Sequence, residues 1–319
     1  MSKIILGIDV AKLKLDLALL MDGKTITRQF PNSEAGYQAL QTWLTSLGVA
    51  QVHVCLEATG SYAQGVAHFL YAAGHLVSLV NPMRIKGYAN SKMQRNKTDK
   101  ADARLIADFC ATQNPTLWHP LSPPVAELQA LTRRIETLEQ MRQMEHNRLE
   151  PAPPSARPSI ERMIHAFEQE IAALWASIRE HFQHHPELRE QSELLQTIPG
   201  LGEKTAILLL AEIEFARYAS AREVAAYAGV TPKKQQSGTS LHTTNLSKMG
   251  NGRIRKGLYF PAIVATRHNP IVKEFALRLQ QNGKTKMQIV CASMRKLLHI
   301  AFGVLKNKTR FAANLAFSS

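Results

Sequence analysis

Four carboxylates stand where an apolar or helical context does not call for them. Asp9 lies near the end of a strand-like run in Gly7-Ile8-Asp9-Val10-Ala11-Lys12, and Glu57 closes another in Leu56-Glu57-Ala58-Thr59-Gly60-Ser61-Tyr62. A carboxylate leaving an apolar strand costs free energy unless it is solvated, hydrogen-bonded or bound to a cation. Asp99 and Asp102 follow in Lys97-Thr98-Asp99-Lys100-Ala101-Asp102-Ala103-Arg104, at the i, i+3 spacing that shares one helical face. If the strands of Asp9 and Glu57 are neighbours, the two acids repel unless a cation neutralises them. Oxygen donors without His or Cys partners suit Mg²⁺ or Mn²⁺ and not zinc, and two such ions ~4 Å apart stabilise attacking and leaving oxygens in phosphoryl transfer. Each acid also has a plain reading: Asp9 as a turn residue, Glu57 as a strand-end charge, Asp99 as a helix start favoured by the dipole, Asp102 as a solvated face. Together they favour a metal site. Asp16 and Asp108 read as surface charges, and His181, His184 and His185 as the solvated end of a polar helix.

A hydroxyl-rich segment supplies a second chemistry. Ser237 sits in Ser237-Gly238-Thr239-Ser240, between Lys233-Lys234 and the cations Lys248, Arg253, Arg255 and Lys256. A hydroxyl attacking a phosphodiester needs such cations to stabilise developing oxyanion charge. On these residues alone a serine-rich phosphate-binding loop is the better-supported reading, and Thr239 and Ser240 are competing hydroxyls. Ile198-Pro199-Gly200-Leu201-Gly202, followed by Lys204, resembles a helix-hairpin-helix element, whose backbone N–H groups at a helix start hold phosphate without reading bases. A glycine-rich helix connection explains Gly200 and Gly202 equally well, and the basic context tips the balance. Arg95 and Lys97, in the basic stretch from Arg84 to Lys97, join the candidate phosphate contacts.

The chain of 319 residues carries a formal charge of +14. From Lys233 onward there are 16 basic residues against one acid, Glu274. Such one-sided charge points to a polyanion, nucleic acid before membrane, and excludes a disordered or collagen-like chain in combination with 45% hydrophobic content. The three cysteines, Cys55, Cys110 and Cys291, form no C-x-x-C pair, which suits a reduced, cytoplasmic protein. The apolar-rich run from Ile4 to Ile8 is too short for a signal peptide, and no apolar run approaches the ~20 residues of a membrane span.

The elements that must carry these residues are α/β at the start and α afterwards. Lys3–Val10, Leu13–Leu20 and Thr25–Phe30 read as a three-strand meander around an Asp22-Gly23 turn, and Ser33 caps a helix from Glu34 to about Leu47. A strand from Val52 to Leu56, a helix from about Ser61 to Ala73 and a strand from Leu76 to Val80 follow, with the later strands parallel. Arg84 to Lys97 reads as a loop, and a helix covers about Asp99 to Cys110. Residues 1–115 thus form one domain. Residues 116–190 read as an antiparallel helical hairpin or coiled coil, broken at Pro151-Ala152-Pro153-Pro154, and 191–319 as a basic, mostly helical domain.

With these residues in place the chain resembles the DEDD-type insertion-sequence transposases, the family that includes the Piv pilin-gene invertase. The likeness rests on Gly7-Ile8-Asp9, Leu56-Glu57-Ala58-Thr59-Gly60, Lys97-Thr98-Asp99 through Asp102-Ala103, Ile198 through Thr205, Tyr227-Ala228-Gly229-Val230-Thr231-Pro232 and Ser237-Gly238-Thr239-Ser240. It implies an N-terminal RuvC-like RNase H fold whose four acids bind divalent metal, and it moves the weight at Ser237 from phosphate binding to nucleophile. Ser237 then attacks DNA and holds the strand as a phosphoserine ester, so that religation needs no ATP. The resemblance also implies target and donor DNA as substrates, a noncoding bridge RNA as guide, and dimers that pair into tetramers. Competing readings are a RuvC-like junction nuclease, which needs no serine, a non-enzymatic architectural DNA binder, and an exonuclease of the same fold.

Overall fold

Alternating β-branched and apolar residues build the sheet at the start of the chain. The computed structural model describes residues 3–58, 60, 62–92, 99–237, 241–246 and 249–313, with 99–100, 233–237 and 241–245 as backbone only. The chain divides into two compact units, Met1–Pro120 and Leu121–Ser319.

In the first unit β1 (Ile5–Val10), β2 (Lys14–Met21) and β3 (Lys24–Pro31) form the antiparallel meander. Asp22 and Gly23 both take positive φ, 50° and 74°, as the two-residue hairpin turn requires. Then come α1 (Glu34–Ser46), capped by the Ser33 hydroxyl, β4 (His53–Glu57), α2 (Tyr62–Ala72) and β5 (Leu76–Val80). The strand order is β3-β2-β1-β4-β5, with β4 parallel to both β1 and β5. One sheet face, with Leu6, Ile8, Leu17, Leu19, Val54 and Leu56, packs on α1 and α2. The other face, with Ile5, Ala18, Cys55 and Val80, lies beneath α3 (Pro82–Ser91) and α4 (Asp99–Gln113). The expected loop from Arg84 is therefore corrected as far as Ser91. Pro82 opens a helix at its first position, and the Asn81 side chain accepts from the Met83 N–H at 2.9 Å.

The second unit begins with α5 (Pro123–Leu149) and α6 (Arg157–His184). They are antiparallel, because His181 near the end of α6 donates from Nε2 to the carbonyl of Pro124 at the start of α5, 2.9 Å away. His181 is thus buried, not solvated: the base of the hairpin closes over it. There follow α7 (Pro186–Gln196), α8 (Glu203–Glu212), α9 (Ala221–Tyr227), a two-strand ribbon of β6 (Pro232–Ser237) and β7 (Leu241–Leu246), then α10 (Gly252–His268), α11 (Pro270–Gln281) and α12 (Lys286–Asn307). The ribbon adds two strands to a region expected to be mostly helical. Hairpin and C-terminal helices share one core, which includes Leu128, Ile178, Leu195, Leu210, Leu258 and Leu298. By length and composition α12 is apolar enough to cross a membrane, yet Leu297, Leu298, Ala301 and Val304 are buried in that core and Arg295 and Lys296 interrupt it.

Candidate active site

Strand register places the first two acids side by side. Ile8 faces Leu56 in the parallel β1–β4 pair, so Asp9 and Glu57, the next residue on each strand, stand at adjoining strand ends. Period-2 alternation puts Asp9 on the face of Ile5 and Gly7, and Glu57 on the face of His53 and Cys55, which is the face that α4 covers. Asp9 and Glu57 are both half-buried.

A glycine lets the helix down onto the strand. A Cβ on Gly7 would stand 2.3 Å from the Ala103 carbonyl oxygen and 2.4 Å from the Ala107 nitrogen, so α4 rests on β1 backbone to backbone. The helix runs opposite to β1, because Lys3 Nζ, before the strand, donates to Asn114 Oδ1, beyond the helix, at 3.0 Å. Asp9 lies ~6.7 Å along the strand from Gly7, and Asp99 ~6 Å along the helix from Ala103, in the same direction. The first turn of α4 therefore reaches the strand ends that carry Asp9 and Glu57. Asp102 is half-buried there; the Asp99 side chain lies outside the described residues. Among the described residues no three His, Cys, Asp or Glu side chains gather as a metal-holding group. Carboxylates on two strand ends and a helix start are hard oxygen donors, the chemistry that suits a cation such as Mg²⁺ or Mn²⁺.

Asp16 corrects the surface-charge expectation. It is 4% exposed and is the register partner of Asp9 on β2. Its Oδ2 lies 3.1 Å from Lys14 Nζ and its Oδ1 accepts from Gln29 Nε2 at 2.9 Å. The alternation Leu15-Asp16-Leu17 reads as a strand with a wet side, and α4 covers that side. Asp108 keeps a surface role, paired with Lys92 at 3.0 Å and accepting from the Tyr88 hydroxyl at 2.8 Å. Behind the acids, the Cys55–Cys110 hydrogen bond and then burial push the Cys55 thiol up.

The second unit holds the basic candidates, several of them already engaged within the chain. Gly200, at φ 103°, packs against α10: a Cβ there would stand 2.8 Å from Ala265 Cβ. Close packing alone requires this glycine. Gly202 is the N-cap of α8 and faces open space, while Lys204 lies 3.3 Å from Glu139 and over the Trp175 ring. Arg253 pairs with Glu136, and Lys256 Nζ lies 3.5 Å from the same carboxylate. Arg255 donates to the Ala228 carbonyl at 3.1 Å. Ser237 is the last residue of β6, opposite Leu241, with Lys233 and Lys234 on the same strand. Arg95, Lys97, Lys248, Gly238, Thr239 and Ser240 lie outside the described residues. Sequence reasoning missed Glu136, Glu139 and Glu212, whose cationic partners lie far along the chain and leave no local signal.

Residues 6–152 match a family described as transposase, of the DEDD type, and residues 192–277 match the IS116/IS110/IS902 transposase family. The protein is therefore an enzyme of DNA transposition and recombination. It is 35% identical over 316 residues to the pilin gene-inverting protein of Moraxella bovis, with 98% of each chain covered. It is 26% identical over 296 residues to the transposase for insertion sequence element IS1328 of Yersinia enterocolitica, covering 81% of this chain and 86% of that one. The chain belongs to the IS116/IS110/IS902 transposase family.

Proposed function

We propose that this transposase cleaves and rejoins target and donor DNA strands with two chemical elements, the acidic tetrad Asp9, Glu57, Asp99 and Asp102, and the Ser237 hydroxyl. The observation that carries the reading is the descent of α4 onto β1 at Gly7, which brings the helix start to the strand ends of Asp9 and Glu57. The strand order β3-β2-β1-β4-β5, antiparallel then parallel, supports a RuvC-like RNase H fold for this unit.

The four acids are the residues that would hold Mg²⁺ or Mn²⁺, which when bound supplies charge stabilisation to the attacking and leaving oxygens of a phosphodiester. Ser237 Oγ attacks phosphorus, its proton passes to a base or to water, and the 3′- or 5′-oxygen of the broken strand leaves. The serine ester keeps the phosphodiester energy, so the hydroxyl of another strand displaces Ser237 without ATP. Lys233, Lys234, Lys248, Arg253, Arg255, Lys256, Lys204, Arg95 and Lys97 would neutralise backbone phosphates, with Gly200 and Gly202 shaping the α8 entry. Resemblance to the DEDD-type transposases supports a noncoding bridge RNA as guide, and dimers pairing into tetramers, in which one subunit's acids meet another's serine.

The test is to incubate the protein with its element's noncoding RNA and matched labelled target and donor DNA, with and without Mg²⁺. A protein-linked strand on a denaturing gel that disappears in Ser237→Ala and weakens in Asp102→Ala is the expected result. Metal-dependent cleavage without an adduct supports a junction nuclease instead, and binding without cleavage supports an architectural protein.

A further inference from the structure

Glu212 is the most deeply buried acid of the second unit, 2% exposed at the end of α8. Arg133 of α5 grips it with two hydrogen bonds, Nε to Oε1 at 2.9 Å and Nη2 to Oε2 at 3.0 Å. Asn251 Nδ2 donates a third, to Oε2 at 2.7 Å. The rest of Asn251 is fully used. Its Oδ1 accepts from the N–H groups of Arg253 and Ile254, capping α10, and its own N–H donates to the Tyr227 carbonyl at 2.8 Å.

These contacts converge on the base of the β6–β7 ribbon. Chain enters the ribbon from Tyr227-Ala228-Gly229, the end of α9, and leaves it through Gly250-Asn251 into α10. The two roots touch: a Cβ on Gly250 would stand 2.4 Å from the Tyr227 carbonyl oxygen and 2.5 Å from the Gly229 nitrogen. Arg255 bridges from α10 back to the Ala228 carbonyl. Below them, Gln129 Nε2 donates to the Ala211 carbonyl at 2.9 Å, tying the end of α8 to α5. A buried carboxylate with all its partners in place is replaceable by apolar packing where stability alone is at stake, so a network linking three chain segments at one point fits a directional role.

We propose that Glu212 is a positioning residue for the ribbon that carries Ser237. Through Arg133 and Asn251 it locks both ribbon roots to the helical hairpin and so fixes where the strand end of Ser237 is presented. The inference rests on the reading of Ser237 as nucleophile, and its test separates the two. Amide hydrogen exchange is followed in the full-length protein, together with adduct formation at saturating DNA and guide RNA. In Glu212→Gln, exchange at residues 226–232 and 249–252 speeds by about tenfold or more while exchange in α12 holds, and the adduct rate falls about tenfold or more with nucleic-acid affinity nearly unchanged. Glu212→Asp recovers part of both effects. Asn251→Ala, which leaves the Arg133–Glu212 pair intact, reproduces the root opening should Glu212→Gln fold poorly. An adduct that persists in Ser237→Ala overturns the nucleophile reading and leaves the exchange result to judge the clamp. Exchange that rises uniformly across the second unit, or that does not change at the roots, overturns the positioning role.

Discussion

The two units position their candidate chemistry by opposite means. At the acid edge, backbone shape does the work: Gly7 has no side chain, Ala103 and Ala107 have small ones, and the helix settles until its first turn meets the strand ends. At the ribbon, charge does it, through a buried carboxylate held by a guanidinium and an amide. Packing of the first kind tolerates no added atom, whereas the second tolerates changes of shape but not the loss of a partner. The acids of α5 are held differently again, since Glu136 pairs with Arg253 and Lys256 and Glu139 with Lys204.

The largest effects belong at the acid edge. Asp9→Asn or Asp102→Asn is expected to cut strand cleavage by on the order of a thousandfold with the fold preserved, and chelation of divalent metal to do the same in the parent protein. Cleavage assays read both, and a variant that keeps full activity removes that acid from the site. Gly7→Ala comes next. A methyl at 2.3 Å from a carbonyl oxygen forces α4 off the sheet, so unfolding in denaturant should show about 3 kcal/mol lost from the first unit, with activity lost alongside. An unaffected midpoint contradicts the backbone-on-backbone contact.

A smaller effect of opposite sign is expected at α5. Glu136 sits on Arg253 and Lys256, so Glu136→Gln releases both for phosphate and should tighten nucleic-acid binding about threefold to tenfold, with a steeper salt dependence. Unchanged affinity and slope would show that those cations do not meet the nucleic acid.

The smallest effect is shared by both units. Burial holds His75 below its ordinary imidazole value, and burial together with Arg295, Lys296 and Arg222 does the same for His299. His75 is neutral in a defined tautomer, Nδ1 accepting from the Val52 N–H at 3.4 Å and Nε2 donating to Gln41 at 2.9 Å. The unfolded chain takes up these protons first as pH falls, so stability declines as pH drops below the ordinary value near 6.5. His299→Gln should flatten the decline in a pH series of melting curves.

Much of this layout was legible from residue types. The meander, the Ser33-capped helix and the parallel strands declare themselves by alternation and caps, and Asp9 and Glu57 stand out as acids on apolar strands. Asp16 was misread because alternation tells which residues share a face but not that a helix covers it. The ribbon was invisible for a different reason: Pro232-Lys233-Lys234-Gln235-Gln236-Ser237 and Leu241-His242-Thr243-Thr244-Asn245-Leu246 carry no apolar–polar alternation. The basic stretch from Arg84 read as a loop because its residues lack an apolar period, although Pro82 at a first helical position and Asn81 as its cap open α3. Glu212 gave no sign at all, because its partners Arg133 and Asn251 are 79 and 39 residues away.

The central claim, a serine-linked recombination by an acid-edged transposase, is tested most directly on the covalent product itself. The reaction is stopped with denaturant, the DNA is trimmed by nuclease, and the peptide that retains a nucleotide is identified by mass spectrometry. The account predicts a phosphodiester-linked nucleotide on Ser237, formed only with divalent metal and intact Asp9 and Asp102. A nucleotide on any other residue, or complete strand exchange with no protein-linked nucleotide at any time point, contradicts it.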